Sequence, residues 1–166
     1  MNDEEFIQKF KSHIDMLSND ERLLFSIEIC KQLFFDYHRF VEVHKWGNSD
    51  LLMDAIKMCE SGSHGMVELS QLRSMLKKVD AITPDTERFG DEISSCALNA
   101  ATAIGETLVF MINHNKDHIY TTGMCYVDMA FFKIIQEDGM IGYDEIQEHP
   151  SMIEAKKYIL NLRPKK

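Results

Sequence analysis

Two histidines four residues apart, His114 and His118, are the first residues whose type and spacing suggest chemistry. On one continuous helix they would face the same side, and two imidazoles on one face can share a metal ion. A zinc hydrolase also needs a water-activating carboxylate directly after the first histidine, and Asn115 stands there instead. The run Asn113-His114-Asn115-Lys116 further reads as a helix boundary, which would turn the two rings apart. Di-iron helical bundles use Glu-x-x-His pairs on facing helices. The residues three positions before the histidines are Phe10, Phe35, Val41, Ser61, Met111, Asn115 and Ile146, none of them acidic. No metal ligand is assigned, and no cofactor is expected.

Nucleophilic and phosphate chemistry find no better support. There is no Gly-x-Ser-x-Gly elbow, and Gly62 and Gly65 sit in a Ser-His loop without the Lys-Ser/Thr of a phosphate cradle. Cys30, Cys59, Cys96 and Cys125 are far apart and each falls in an apolar helical pattern, so free, buried and inert thiols of a reducing compartment are expected. The pairs Glu87/Asp91 and Asp144/Glu148 have the spacing to share a helical face, but neighbours at this spacing are ordinarily solvated charge. The aromatic run Phe34, Phe35, Tyr37 and Phe40 reads as core rather than as a ligand cage. No catalytic residue is assigned, and the chain reads as a non-enzyme.

What remains is charge. The chain carries 27 Asp and Glu against 18 Lys and Arg, a net charge of −9. That balance argues against a nucleic-acid surface, which neutralises phosphates with concentrated positive charge, and favours a cationic partner. The acid is uneven: from Asp80 to Glu154, 14 acids stand against only Arg88, Lys116 and Lys133, whereas the last twelve residues hold five bases and no acid. Asp85, Glu87, Asp91 and Glu92 gather around one helix start, and Glu137, Asp138, Asp144, Glu145 and Glu148 around a later loop and short helix. Asp91 and Glu92 suit the positive end of a helix dipole. Glu137 and Asp138 lie at a carboxy-terminal end, where negative charge is unfavourable, so a partner or a neighbouring cation must compensate. The partner-binding set read from the sequence is therefore Asp85, Glu87, Glu137, Asp138, Asp144, Glu145 and Glu148.

The elements that would position these residues follow from hydrophobic period. At 166 residues, 45% hydrophobic and 27% charged, the chain is one domain's worth of soluble polypeptide, and its 3 Pro and 8 Gly favour long helices. Phe6, Phe10, Ile14 and Leu17 fall at helical spacing and end where Ser18-Asn19-Asp20-Glu21 offers a capping box. A long second helix follows, carrying Leu23, Ile27, Cys30, Leu33, Tyr37 and Val41, and Gly47 is the expected left-handed cap. Asn48 or Ser49 opens a third helix, and Met66, Leu69, Leu72, Leu76 and Val79 mark a fourth that stops before Thr83-Pro84. The fifth starts near Asp91 and presents Ala97, Ala100, Ala101, Ala103 and Gly105 for close helix packing. A sixth runs from about Asp117 to Gln136 with Ile119, Thr122, Cys125, Tyr126, Met129, Phe132 and Ile135 on its apolar side. A short helix spans Tyr143 to Glu148, and Ser151-Met152-Ile153-Glu154 caps the last. The expected fold class is all-α, a single-domain helical bundle of about seven or eight helices over residues 1–166, ending in a short basic tail at 163–166. The first residues show no secretory pattern, and the longest uncharged stretch, Ile93 to Gly105, is too short to span a bilayer, so a cytoplasmic protein without membrane contact is expected.

Several short motifs resemble a known family: Leu24-Phe25 through Cys30, Leu33, Tyr37 and Phe40; Pro84-Asp85-Thr86-Glu87-Arg88-Phe89; Ala97-Leu98-Asn99-Ala100-Ala101; Asp128; and His149-Pro150 with Glu154. Together they resemble the YjaG-like family, a bacterial all-helical domain-of-unknown-function family, from about Leu23 to Leu162. The resemblance implies an all-α fold and transfers no catalytic or binding residue. With acid surface and no assembled chemistry, the expected function is that of a protein-binding inhibitor, most sharply an immunity protein that neutralises a cationic toxin such as a nuclease. The other readings are a small-molecule or metal-dependent enzyme whose site is dispersed in sequence, and a self-associating module using exposed Phe and Met positions.

Overall fold

Asn2 and Ser18 open the first two helices by the same device, a side-chain oxygen accepting a backbone N–H three residues on: Asn2 Oδ1 from Glu5 at 2.8 Å and Ser18 Oγ from Glu21 at 3.2 Å. Glu21 returns the bond to the Ser18 backbone, completing the expected capping box. In the computed structural model, which describes residues 1–164, these helices are α1 (Asp3–Met16) and α2 (Asn19–His44). They are followed by α3 (Ser49–Gly62), α4 (Leu69–Ala81), α5 (Glu92–Asn113), α6 (Asp117–Asp138), α7 (Tyr143–Glu148) and α8 (Pro150–Asn161). The fold is all-α, with eight helices and no strand among the described residues. Lys165 and Lys166 of the basic tail lie outside the described residues.

Four local expectations are corrected. The left-handed cap of α2 is Lys45, at φ 54°, not Gly47. Gly47 does take a positive φ, 96°, two residues further on, and it is also needed for room, since a Cβ there would stand 2.6 Å from Tyr37 Oη. That hydroxyl donates to the Ile82 carbonyl at 2.6 Å and accepts from the Asn48 N–H at 3.2 Å, pinning the α2–α3 turn to the end of α4. Met66 lies before α4 and is exposed; Glu68 and Gln71 form the box that starts this helix. Ser151 does not cap α8: the helix begins at Pro150, whose missing N–H costs nothing at the first position, and the His149 ring accepts the Ser151 N–H. Finally, Phe35 is 72% exposed while Tyr37 and Phe40 are fully buried. Adjacent residues on a helix diverge by about 100°, so the aromatic run cannot turn inward as a whole.

The helices contribute to one continuous core around α5. This helix packs against α2, α3, α4 and α6, and Ala97, Ala100, Ala101 and Ala103 are essentially inaccessible, as their size predicts for close approach. A helix surrounded by neighbours is apolar on most of its faces. The thirteen uncharged residues therefore understate its apolar length: α5 spans 22 residues and is long and apolar enough to cross a membrane, although half of its apolar window is buried within the protein. Thr122 Oγ1 meets the Ala103 carbonyl and Cys96 Sγ the Met129 carbonyl, so α6 runs antiparallel to α5. Ser26 with Thr107, and His44 with Asp91, set α2 antiparallel to α5 as well. The close approach that matters most for α6 is at Gly123, where the Phe10 ring of α1 occupies the space a Cβ would need. The buried face of α6 is Ile119, Thr122, Gly123, Cys125, Val127, Ala130 and Ile134; Ile119, Thr122 and Cys125 are buried as expected, while Tyr126, Met129, Phe132 and Ile135 are only half-buried.

Candidate functional site

Asp85 and Glu87 stand in the exposed turn between α4 and α5, where Asp85 Oδ1 accepts the Glu87 N–H at 2.9 Å. Glu87 is thus not helical and shares no face with Asp91, which is the N-cap of α5. Glu137 and Asp138 close α6, while Asp144, Glu145 and Glu148 occupy α7. The start of α5 and the end of α6 share one end of the bundle because the two helices are antiparallel. Both acidic groups therefore face the same end, although no contact joins them.

The charges at that end differ in how they are held. Asp138 is compensated from within: His149 Nδ1 accepts the Ser151 N–H, so Nε2 carries the proton and donates to Asp138 Oδ2 at 2.9 Å. Asp144 and Glu145 lie in the first turn of α7, where the dipole favours them. Glu137, Asp144, Glu145 and Glu148 are exposed and take part in no ion pair among the described residues. Next to them Met140 and Tyr143 are 87% and 58% exposed, so apolar surface adjoins the acid.

Between α1, α6, α7 and α8 lies an apolar groove of about 410 Å³, floored by Phe6, Val127, Phe131 and Met152. Lys156 of α8 enters it, donating to Asp3 Oδ1 at 3.0 Å and Gln147 Oε1 at 2.6 Å, with its ammonium 5.3 Å from the centre of the Phe6 ring. Only 8% exposed, Lys156 belongs to this wall, not to the basic end inferred from the sequence. A second hollow continues outward past Met1, Glu4, Asp144, Glu148 and Ile153, so two of the sequence-assigned acids form part of its rim. Nothing in the local sequence signals this groove, because its walls bring α1, at the start of the chain, against the last three helices.

The histidines, the cysteines and the start of α5 have structural roles. His114 is the left-handed C-cap of α5 and His118 lies on α6, so the pair has no common helical face. His118 Nδ1 is 2.6 Å from Glu106 Oε2 and its other nitrogen meets Asn113. No group of three or more metal-ligating side chains gathers among the described residues. All four cysteines are free and buried, and burial pushes the thiols of Cys30 and Cys96 up to about 12, far from the thiolate a nucleophile needs. Asp91, expected from the sequence at the start of α5, meets two residues that no sequence signal singled out, His44 and Ser94. His44 Nε2 lies 2.9 Å from Asp91 Oδ2 and 3.3 Å from Ser94 Oγ, and Ser94 also donates to Asp91. Burial pushes the Asp91 carboxyl up, but the hydrogen bonds from Ser94 and His44 outweigh it and hold the group below the ordinary carboxylate value. A serine nucleophile needs an exposed hydroxyl with the base between it and the acid. Ser94 is fully buried and one imidazole nitrogen faces both partners, so this is a helix cap braced by α2.

Fold and site together define a helical bundle whose outward chemistry is an acid-rimmed apolar groove at one end. The chain belongs to the DUF416 family, described as a protein of unknown function, whose model matches residues 9–162. The crystal structure of a DUF416 family protein from Shewanella baltica OS155 has the same fold, with a TM-score of 0.77 at 18% identity over 91% of this chain and 81% of that one. A search of curated proteins finds no match.

Proposed function

We propose that this protein is a binding inhibitor of a cationic protein, acting as an immunity protein against a toxin such as a nuclease. The observation that carries the reading is the group Glu137, Asp144, Glu145 and Glu148, exposed and without ion pairs among the described residues, beside exposed Met140 and Tyr143. Helix dipoles account for two of these acids but not for four. A nuclease must present positive charge to bind phosphate, and an acidic surface of this size can cover it while steering its approach. A cytoplasmic site of action suits the four free, buried thiols. The short motifs quoted above support placing the chain in a YjaG-like branch of its family.

The test is co-expression with a toxin domain encoded beside it, followed by stopped-flow association of the two purified chains. Copurification and an on-rate that drops at least about tenfold when Glu137, Asp144, Glu145 and Glu148 are changed to lysine are expected, because charges at the rim act mainly on association. The rate should also fall with salt, since attraction is screened beyond about 8 Å at physiological ionic strength. A neighbourhood without any toxin, or association unchanged by both the substitutions and salt, refutes the reading.

A further inference from the structure

The groove between α1, α6, α7 and α8 holds two carboxylates and one ammonium. Lys156 balances Asp3, and its surroundings show how this cavity receives a cation: one carboxylate oxygen, one amide oxygen and the face of a phenyl ring. Asp128, on the α6 wall of the same cavity, has no hydrogen bond or ion pair among the described residues. Asp128 is exposed at the mouth of the cavity, and partial burial of its carboxyl raises it above the ordinary carboxylate value. A hydrated carboxylate at the edge of an apolar cavity, with no cation beside it, favours a guest that brings a positive charge together with apolar surface.

We propose that this cavity binds a small organic cation, a primary ammonium carried on an apolar body, with Asp128 as its counter-ion. The volume of about 410 Å³ falls in the range of small-molecule sites. The body would lie on Val127, Phe131 and Met152, and the ammonium would sit at Asp128 as Lys156 sits at Asp3. An anionic guest is disfavoured because the only ammonium in the cavity is already spent on Asp3 and Gln147. This binding goes beyond the partner reading and does not depend on it.

The test titrates the full chain with n-hexylammonium, using 1-hexanol and hexanoate as controls, read by calorimetry and by amide NMR shifts. A charge-assisted contact predicts that the ammonium binds roughly tenfold or more tighter than the alcohol, with shifts centred on Phe6, Val127 and Met152. Asp128→Asn, a nearly isosteric change, should remove that advantage while leaving the alcohol's affinity and the melting temperature in place. The lysine substitutions at Glu137, Asp144, Glu145 and Glu148 should leave the advantage intact. Equal affinity for ammonium and alcohol in the unaltered protein overturns the proposal without any variant. So does an advantage that survives Asp128→Asn, or shifts confined to the acids of α7, which would mark simple surface ion pairing.

Discussion

Ser26 of α2 and Thr107 of α5, 81 residues apart in sequence, bring their hydroxyl oxygens to 2.5 Å in the centre of the protein. Thr107 Oγ1 donates its proton to the Ala103 carbonyl at 2.8 Å, so Ser26 is the donor between the two. Cys30 Sγ lies 3.3 Å from the same threonine oxygen. This chain of polar atoms sets the register of the two longest contacting helices within an otherwise apolar core.

Thr107→Val should therefore destabilise the protein by about 1–3 kcal/mol, because it leaves the fully buried Ser26 hydroxyl without its acceptor. Adding Ser26→Ala should recover part of that loss, since a fully apolar pair leaves no orphaned donor. Urea unfolding of the two single variants and the double variant measures both effects. A double variant that is merely the sum of the singles would show that the two hydroxyls are not coupled.

Gly123→Ala should cost about 1–3 kcal/mol through overpacking, because the new methyl meets the buried Phe10 ring rather than a flexible chain end. Phe10→Leu in the same chain should relieve part of the clash. Ala100→Leu on α5 should be destabilising over the same range for the same reason, with the neighbouring helices as the obstacle. Thermal melts of these variants report the order directly, and parental behaviour of Ala100→Leu would place the alanine face in solvent.

His13 gives a pH dependence of definite sign. Burial, and then the Arg163 guanidinium 3.0 Å away, hold its imidazole below the ordinary histidine value of 6.5, against the raising effect of the bond to the Leu162 carbonyl. The unfolded chain therefore takes up a proton at a higher pH than the folded one. Its contribution to stability is complete above about pH 6.5 and is lost as pH falls towards the folded-state value. The urea midpoint should drop between roughly pH 7.5 and pH 5, and His13→Gln should flatten that part of the curve. An unchanged slope in the variant would assign the acid limb to other groups.

His149 does two jobs, capping α8 through Nδ1 and holding Asp138 through Nε2. His149→Ala should lower stability by about 1 kcal/mol, as loss of a helix cap does. His149→Asn supplies a cap oxygen and should restore most of this even though the contact to Asp138 is gone. If the asparagine variant melts as low as the alanine variant, the Asp138 contact and not the cap is what stabilises the α7–α8 corner.

The sequence by itself determined the helices, because hydrophobic period, capping side chains and proline are local signals. The box at Ser18 and Glu21, the cap at Asp91 and the break at Pro84 all act within a few residues of themselves. Burial of the four cysteines was legible for the same reason, since each falls on an apolar face. Tertiary structure decided what depends on a neighbour distant in sequence. The need for glycine at two positions is of this kind, since the Tyr37 hydroxyl fills the space beside Gly47 and the Phe10 ring the space beside Gly123 on α6. The same holds for the acids. Their number and clustering are written in the chain, but whether each is balanced is a matter of distance: Asp138 finds His149, Asp3 finds Lys156 across 153 residues, and Asp128 finds no cation among the described residues. A hydrogen-bonded ion pair needs its atoms within about 3–4 Å, so only the packed helices could separate acids already answered within the protein from those left for something outside it.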